Sequence, residues 1–485
     1  MGSGWRPHTR RSLLRLGGPV AAAAAIDLGG CARAALRSGQ PPKSGTPTVA
    51  SNRIPLTFEP LNAGLWSPQG SKIVLEALWT ALGPWRQAHT SIDLQMQPFG
   101  GDTEATALIA GTAPDVILGW QNFGALASQG LLLDVNPYLK LSNRSLDVWP
   151  SYAVDAYRID GKQYAFPFYV ATTCMVVNHA VLDQVGLSYP VPNATFAEWT
   201  SLWTATTKRG TNPRYGGSIK STINGLAQAY FKGWGGSIMD PADPTRCTLD
   251  SPECVAAGNA IFPLLTEQVC TFNYGIGDCI TGIESGRYAS AVLWNAALAV
   301  TVLVEALVNL PKWDFYAMPT MPRGSFAHTQ YDYRAVNAAT KHPEPAWELL
   351  EWLSFDPAFQ RTLMRYGLEP PALKSLQEEY TAVLAQVVPP LRSKNLSVLT
   401  QYVRNNGAIM EPNFLVAETQ TQQIILSGEQ AIVARKQGVA LGLRTLAQQV
   451  NALQTASLKQ SARASAMSKA FPVKGPAVAT VTPGL

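Results

Sequence analysis

A helix end, a tight turn and a buried strand follow one another in Thr106-Ala107-Leu108-Ile109-Ala110-Gly111-Thr112-Ala113-Pro114-Asp115-Val116. Gly111 can take the left-handed backbone conformation that ends a helix, and Pro114 cannot continue one. The apolar run Val116-Ile117-Leu118 has the length of a short buried strand. The segment therefore predicts one helix-to-strand unit of an α/β sheet.

Strands and helices alternate on both sides of this segment. The sequence predicts strands at 54–58 and 91–97 and helices at 71–89 and 123–133, the first helix on the helical spacing of its apolar residues. Such alternation indicates βαβ units and a largely parallel sheet. Residues 164–177 form a long β-rich run in which no helix of normal length fits.

The second half of the chain continues this pattern and then becomes helical. Helices are predicted at 195–207, 223–231, 251–267, 280–285, 345–353 and 357–366, and a strand at 289–294. Thr195 and Glu198 have the spacing of a capping box at the first of these helices. Gly216-Gly217-Ser218 is interpreted as a turn. After Pro371 the sequence predicts almost only helix to about residue 457.

The composition is that of an ordinary globular protein. The 485 residues are 46% hydrophobic and 15% charged, and the length allows two or three domains. The net charge is +5, but residues 1–30 and 31–50 contribute +3 each, so the remaining 435 residues sum to −1. A folded part without basic excess argues against nucleic-acid binding. The five histidines are too far apart in sequence to suggest a metal-ligand pair.

The N-terminus predicts an export signal and a lipid anchor. The pair Arg10-Arg11 precedes an Ala-rich apolar stretch at 17–30 that is too short to span a bilayer. Leu28-Gly29-Gly30-Cys31 resembles a bacterial lipobox, in which Cys31 receives a diacylglycerol and becomes the first residue of the mature chain. The paired arginines resemble a Tat signal, and the choice between Tat and Sec export stays open. We expect a protein at the cell surface or in the periplasm, anchored to the membrane by its lipid.

Five further cysteines are expected to face an oxidising compartment. Cys247 and Cys254 flank one short segment and Cys270 and Cys279 flank another, so two short-loop disulfides are predicted and Cys174 is left over. A zinc site is the competing interpretation, but no C-x-x-C spacing or nearby histidine supports it. The disulfide state of Cys174 stays open.

Seven short motifs, counting the opening segment, occur in order between residues 54 and 370. The others are Gln129-Gly130-Leu131-Leu132 with Asp134; Gly161-Lys162-Gln163-Tyr164-Ala165-Phe166-Pro167; Asn178 with Val181-Leu182 and Gly186-Leu187; Trp234-Gly235-Gly236 with Leu249-Asp250-Ser251-Pro252-Glu253; Ser285-Gly286-Arg287-Tyr288-Ala289-Ser290; and Ala346-Trp347-Glu348 to Gln360. Together they resemble family 1 extracellular solute-binding proteins, a group that includes maltose-binding protein and many lipoprotein receptors of carbohydrate ABC importers. Val177 departs from the tyrosine usual there, and the resemblance is thinner after residue 371.

This resemblance implies a periplasmic-binding-protein-like α/β fold with two lobes joined by crossing hinge strands and a ligand cleft between them. The first crossing is expected in the β-rich run 164–177 and the second near 327–337. Hinge closure around one bound solute would follow. The resemblance implies no cofactor, no metal and no enzyme activity, and we expect a monomer whose partners are a carbohydrate and the permease subunits of an ABC transporter.

Domain boundaries follow from the motifs and from the composition of the ends. The predicted segments are a signal peptide with lipobox at 1–30, a flexible tether at 31–51, lobe 1 at 52–164 and 327–370, lobe 2 at 165–326 and 371–460, and a disordered tail at 461–485.

Aromatic and polar residues near strand ends are the candidates for binding a sugar, because sugar rings stack on aromatic side chains and hydroxyl groups need polar partners. Trp120 follows the strand that ends at Leu118, and Trp294 follows the strand that begins at residue 289. The full candidate set is Trp66, Trp120, Asn122, Tyr169, Thr172, Trp234, Trp294, Asn295, Tyr331 and Asp332. Packing in a core is the alternative role for each aromatic member.

The sequence contains none of the motifs of a nucleophile elbow, a zinc protease or a phosphate-binding loop. An exported carbohydrate-active enzyme of the glycoside hydrolase kind nevertheless stays open, since two carboxylates can meet in space without any spacing in sequence. A polyamine, metal chelate or phosphodiester ligand on the same fold is a narrower alternative. The identity of the sugar, its length, its linkage and the exact hinge positions are not predicted.

Overall fold

The computed structural model describes residues 53–60, 68–97, 104–119, 122–220, 229–240, 243, 245–273, 276–294, 312–368, 370–404, 408–409 and 417–470. The strands are β1 (Ile54–Phe58), β2 (Ile92–Met96), β3 (Val116–Gly119), β4 (Arg158–Ile159), β5 (Lys162–Gln163), β6 (Ala165–Asn178), β7 (Tyr215–Lys220), β8 (Cys270–Asn273), β9 (Tyr288–Trp294), β10 (Trp313–Tyr316), β11 (Ala327–Val336) and β12 (Ala408–Ile409).

Helices surround these strands. They are α1 (Pro68–Ala81), α2 (Gly83–Ala88), α3 (Glu104–Ala110), α4 (Phe123–Ser128), α5 (Asn136–Ser142), α6 (Ser151–Asp155), α7 (His179–Gln184), α8 (Phe196–Thr206), α9 (Phe231–Gly233), α10 (Pro252–Thr266), α11 (Ile276–Glu284), α12 (Pro343–Phe355), α13 (Pro357–Arg365), α14 (Lys374–Val387), α15 (Val398–Arg404), α16 (Glu418–Val433) and α17 (Val439–Ala470), with 3-10 turns at Leu146–Val148 and Pro389–Leu391. Among the described helices, none is both long and apolar enough to cross a membrane.

The main sheet has two parallel groups of strands joined by two long antiparallel strands. Its order is β2-β1-β3-β11-β6-β9-β7-β8, with β10 beside β6 and β12 beside β11. β1 is parallel to β2 and β3, and β7 is parallel to β8 and β9. β11 and β6 lie between the groups and are antiparallel to each other, and β3 and β9 run antiparallel to them. The β-rich run near 164–177 and the strand near 327–337 are therefore confirmed as the crossing strands.

Asp115 connects strands of the first parallel group through hydrogen bonds. Its Oδ2 accepts hydrogen bonds from the Thr57 amide at 2.8 Å and the Thr57 hydroxyl at 2.7 Å. Its Oδ1 accepts from the Thr340 hydroxyl at 2.6 Å. The Asp115 carboxylate lies just before β3 and thus connects β3 to β1 and to the segment after β11. Both of its oxygens accept hydrogen bonds from the protein.

Two hydrophobic cores lie on opposite faces of the sheet around β6. Successive side chains of a strand point to opposite faces, and Cys174 and Val176 belong to the first core while Met175 and Val177 belong to the second. The first core also takes in β1, β2, β3 and most of α14 and α15, whereas α10, α16 and α17 pack in the second. The predicted assignment of 371–460 to one lobe stays a prediction, and its helices divide between the two cores.

The capping box predicted at α8 is confirmed. The Glu198 amide donates to Thr195 Oγ1 at 3.2 Å, and Glu198 Oε2 accepts from the Thr195 amide at 2.6 Å. The helix predicted over 71–89 is instead two helices, α1 and α2, because Gly83-Pro84 restarts the backbone after Leu82.

Gly216-Gly217-Ser218, predicted as a turn, lies inside strand β7. A Cβ on Gly216 would come within 2.0 Å of the Trp203 carbonyl oxygen. Glycine is needed there because the backbone of α8 packs directly on the strand, which is the close approach that a strand glycine can mark.

Neither predicted disulfide is present in the structure: within the described residues, Cys174, Cys247, Cys254, Cys270 and Cys279 are all buried thiols. Cys270 belongs to the second core and Cys279 to the first, so the sheet separates them. The Cys254 thiol donates to the Ser237 carbonyl oxygen at 3.4 Å. Burial raises the pKa of Cys174 to about 12, so this thiol is not ionised at neutral pH.

The end of the chain is more helical than its composition predicted. The tail was expected to be disordered from residue 461, but α17 continues to Ala470. The leader, Cys31, the tether and residues 471–485 lie outside the described residues.

Candidate ligand cleft

Three carboxyl side chains follow or face the carboxyl ends of the first parallel strands. Glu59 comes directly after β1, Glu104 is the first residue of α3 after β2, and Asp332 lies on β11 beside β3. Carboxyl ends of parallel strands meet at one edge of an open α/β sheet, which is where such sheets bind ligands. The three are buried, at 2%, 9% and 3% exposure respectively.

Glu59 is fixed by the neighbouring strand and by an arginine. Its Oε2 accepts a hydrogen bond from the Leu118 amide at 3.1 Å, and its backbone oxygen accepts one from Arg334 Nη1. Burial raises the pKa of Glu59 to about 7, against the lowering effect of Leu118 and Arg334. The carboxyl group therefore titrates close to neutral pH.

Glu104 has the most unfavourable surroundings for a negative charge. Burial raises its pKa well above the usual value, and the charges of Glu59 and Asp332 raise it further. Among the residues that the structure describes, its Oε1 has no hydrogen-bond partner. Burial and the neighbouring carboxylates therefore favour the neutral form of the Glu104 carboxyl group.

Asp332 is bound to the other crossing strand. It lies opposite Tyr169 of β6, and the Tyr169 hydroxyl donates a hydrogen bond to Asp332 Oδ2. The register of the two strands shifts between Asp332 and Tyr333, which is a β-bulge of the kind that redirects side chains. The sequence predicted both Tyr169 and Asp332 as ligand residues, and the structure brings the two together.

Arg334 supplies the positive charge of this cluster. Its side chain is fully buried and its guanidinium lies 4.6 Å from the ring centroid of Phe168. Burial lowers its pKa to about 10, so it stays charged at neutral pH. Within the described part of the chain, its Nε and Nη2 have no hydrogen-bond partner. We call Glu59, Glu104, Tyr169, Asp332 and Arg334 the carboxylate cluster.

Thr172 and Tyr331 lie on the crossing strands, and their hydroxyl groups contact α15 and α6 respectively. Thr172 Oγ1 donates to the Leu399 carbonyl oxygen of α15 at 3.3 Å. The Tyr331 hydroxyl lies 3.2 Å from the Tyr152 hydroxyl, and its backbone oxygen accepts from Tyr157. Both side chains are buried, at 0% and 1% exposure, and their ligand role stays a prediction.

Trp294 lies at the last position of β9, opposite Thr173 of the crossing strand β6. Its ring meets His328 of the other crossing strand edge to face, with centroids 4.7 Å apart. Trp234 packs against Phe196 with ring centroids 5.0 Å apart and borders the second core. Trp294 is thus placed at the junction of the crossing strands and Trp234 is not.

Asn122 begins α4 with a left-handed backbone, at φ 59°. Trp66, Trp120 and Asn295 lie outside the described residues. Trp120 directly follows β3 in the chain and Asn295 directly follows β9, and the ligand role of all three stays a prediction.

Sequence reasoning missed Glu59, Glu104 and Arg334. Aromatic residues were sought as stacking partners, whereas the most buried polar groups at the strand ends are charged. The available signal was a charged residue next to an apolar strand, as in Phe58-Glu59, which costs free energy when buried unless it has a role.

Two cavities lined by described residues lie away from the carboxylate cluster. One of about 420 Å³ is bordered by Phe262 and Ile432, and one of about 640 Å³ by Ile424 and Leu446. Both are open grooves on the helical layer of the second core. In the described residues, no group of three or more His, Cys, Asp or Glu side chains is arranged to hold a metal ion.

Comparison with known protein families gives one match. The model of the bacterial extracellular solute-binding proteins matches residues 69–358, more than half of the chain. The chain belongs to this family. No curated protein sequence matches this solute-binding protein.

Solved structures agree with the family. The ABC substrate-binding protein Lmo0181 from Listeria monocytogenes, in complex with cycloalternan, is 18% identical, has a TM-score of 0.68 and covers 83% of this chain and 99% of its own. A solute-binding protein from Thermotoga lettingae bound with α-D-tagatose is 17% identical, with a TM-score of 0.66 and coverage of 83% and 100%. Maltose-bound MalE3 of T. maritima is 17% identical, with a TM-score of 0.62 and coverage of 82% and 100%.

These similarities establish the two-lobed fold of periplasmic binding proteins. In this solute-binding protein, β6 and β11 are the crossing strands, and the carboxylate cluster lies where the first parallel strands meet them. Family membership also indicates an exported binding protein of an ABC transporter.

Proposed function

We propose that this solute-binding protein captures a carbohydrate between its lobes and delivers it to the permease of an ABC transporter. The observation that carries the proposal is the buried carboxylate cluster at the carboxyl ends of β1 and β3, beside both crossing strands. Hydroxyl groups of a sugar can both donate to carboxylates and accept from a guanidinium, so they suit this mixture of groups. The three similar proteins carry cycloalternan, tagatose and maltose.

Capture by hinge closure is part of this proposal. β6 and β11 continue from one parallel group of strands into the other, so a change of backbone angles at these strands would rotate one group relative to the other. The bulge after Asp332 is a natural place for such a change, because a bulge already interrupts the regular ladder. Closure would desolvate the ligand and strengthen its polar contacts.

Cys31 is proposed to hold the protein at the outer face of the membrane through a lipid, with the tether 31–51 giving the lobes freedom to reach the permease. The support is the order of paired arginines, apolar stretch and lipobox in the sequence. We propose a binding role and no catalytic step.

A ligand screen tests the function. A bound ligand at 100 times its dissociation constant adds about 2.7 kcal/mol to the free energy of unfolding. We expect at least one mono- or oligosaccharide of a broad panel to raise the melting temperature, and calorimetric titration to give one site per chain. A panel in which amino acids, polyamines or phosphodiesters bind and no saccharide does would contradict the proposal.

A further inference from the structure

Carboxyl groups outnumber cationic groups in the carboxylate cluster. Three acids, Glu59, Glu104 and Asp332, face one guanidinium, that of Arg334, and the charges of these four residues act on one another. Tyr169 is the other titratable neighbour, from β6. If all the acids are ionised, the cluster carries an uncompensated charge of two negative units in a buried place, which is costly.

Hydrogen bonds and a ring contact fix Arg334 and Asp332 within the cluster. Arg334 donates to the backbone oxygen of Glu59, and its guanidinium group lies over the ring of Phe168. Asp332 receives the Tyr169 hydroxyl, a neutral donor. Glu104 Oε1 is more than nine-tenths buried and, among the residues described, has no donor.

We propose that the solute is a basic carbohydrate, with a protonated amino group that binds among Glu59, Glu104 and Asp332 and hydroxyl groups that accept from Arg334. This inference rests on the proposed function and narrows its ligand class. An ammonium group offers three donors and one positive charge, which is what the acids lack.

The guanidinium argues for a sugar rather than a simple polyamine. Its Nε and Nη2 are fully buried and, within the described residues, have no acceptor, so the ligand must bring oxygen atoms as well as a cation. A polyamine has no acceptor for these donors, and a neutral sugar brings no cation to the three acids. An amino sugar meets both needs.

Protons are redistributed when such a ligand binds. In the empty protein burial favours the neutral form of Glu104, and Glu59 titrates near pH 7. A bound ammonium keeps its own proton and favours the ionised carboxylates, so the protons of these acids leave to the buffer. Binding should therefore release up to two protons and tighten as pH rises from 6 to 8, as long as the amine remains charged.

Matched ligand pairs test the inference. Calorimetric titration compares glucosamine, galactosamine and mannosamine with glucose, galactose and mannose, and β-1,4-linked glucosamine oligomers of two to four units with the corresponding cello-oligosaccharides. We expect the amine member of at least one pair to bind ten-fold or more tightly than its neutral partner. Its apparent enthalpy should vary with the ionisation enthalpy of the buffer, which reports the released protons.

Variants locate the effect. Glu104→Gln keeps the shape of the side chain and removes its charge, so it should weaken the amine ligand about ten-fold more than it weakens the neutral partner. Asp332→Asn serves as a second variant, and circular dichroism checks that each is folded. Glu378→Gln, the same substitution at an exposed position of α14, is the control and should change neither affinity.

The outcomes separate this inference from the function beneath it. Equal or tighter binding of the neutral members, or binding without proton release, overturns the basic ligand while the carbohydrate receptor stands. If no saccharide of either kind binds, the proposed function fails and this inference fails with it.

Discussion

Trp294 occupies the junction of β9 with both crossing strands, where a ring can serve either a ligand or the core. Its exposure is 7%, and its edge contact is with His328, a residue of the crossing strand. A stacking ring that loses water on closure behaves like an interface hot spot, so we predict that Trp294→Ala costs roughly 2 kcal/mol of binding, about thirty-fold in affinity.

A control separates binding from folding for this substitution. Trp199 of α8 lies in the second core at 2% exposure, and Trp199→Ala should lower the free energy of unfolding by about 3–5 kcal/mol without altering affinity. Calorimetric titration and urea unfolding are measured on both variants. Unchanged affinity of the Trp294 variant, with a large loss of stability, would assign the residue to the core.

Glu59 predicts how the stability of the empty protein depends on pH. Its pKa is 4.5 in the unfolded chain and about 7 in the folded protein. Between these values the folded state binds more protons than the unfolded state, so stability is greatest below pH 4.5 as far as this group is concerned and falls as pH rises through 7. The slope is at most about 1.4 kcal/mol per pH unit for one group.

Glu59→Gln should flatten this fall, because the amide does not titrate. Urea unfolding at pH 5, 6, 7 and 8, on wild type and on Glu59→Gln, measures the difference, with Glu378→Gln as the exposed control. A wild-type stability that rises steadily from pH 5 to 8, with the same slope in the variant, would show that the carboxyl is ionised throughout.

At the residue scale, sequence predicted two of the five members of the carboxylate cluster. Tyr169 and Asp332 were found because they occupy the expected crossing strands, and the structure pairs them. Glu59 and Glu104 were missed because burial of a charge depends on the approach of β11, which lies more than 200 residues away in the chain and leaves no mark on local sequence.

At the scale of elements, α16 contains a buried carboxyl group, that of Glu429. Glu429 is 1% exposed, and burial alone raises its pKa well above the usual value. In the described part of the protein, neither of its oxygens has a hydrogen-bond partner. Its neighbours on the same helix face are Ile425 and Ile432, which belong to the second core.

We predict that Glu429→Met stabilises the protein by about 1–2 kcal/mol at pH 8, because it removes a buried polar group without creating a cavity. The gain should be smaller at pH 5, where Glu429 folds as the neutral acid at little cost. Gln430→Met changes the next, exposed residue and should stay within about 0.5 kcal/mol of wild type. Thermal unfolding at both pH values measures these changes in stability. A destabilised Glu429→Met variant would indicate a polar role for the carboxyl group.

Elements were predictable where their causes are local. The capping box at Thr195 and Glu198 is complete within four residues, and the prediction of α8 was correct. β7 was missed because its glycines have the composition of a turn, and only the packing of Trp203 explains why they lie in a strand. Cys270 and Cys279 lie in different cores, and spacing in sequence does not show which face of a sheet a cysteine occupies.

At the scale of the whole molecule, ligand binding should change the shape of the protein. Rotation about β6 and β11 brings the two groups of strands together, so we predict a smaller radius of gyration and altered tryptophan emission when a confirmed ligand is added. Small-angle scattering with that ligand and with a non-binding sugar of the same size measures the change. Superimposable curves would exclude closure.

Attachment to the membrane is the second prediction at this scale. Cys31→Ala should release the protein from the membrane fraction, because the predicted lipid can be attached only to the cysteine. Cell fractionation followed by immunoblotting compares it with wild type and with Cys174→Ala, a buried thiol of the folded part. Retention of the Cys31 variant on the membrane would rule out the lipid as the anchor.

The pairing of β3 with β11 also constrains the order of events during synthesis. Val116 lies opposite Val336, so the edge of the first group of strands pairs with a segment 220 residues further along the chain. Everything between them must emerge before that ladder can close, and contacts of such long range slow folding. The nascent chain therefore holds β1, β2 and β3 without their partner β11 while about 220 further residues are made.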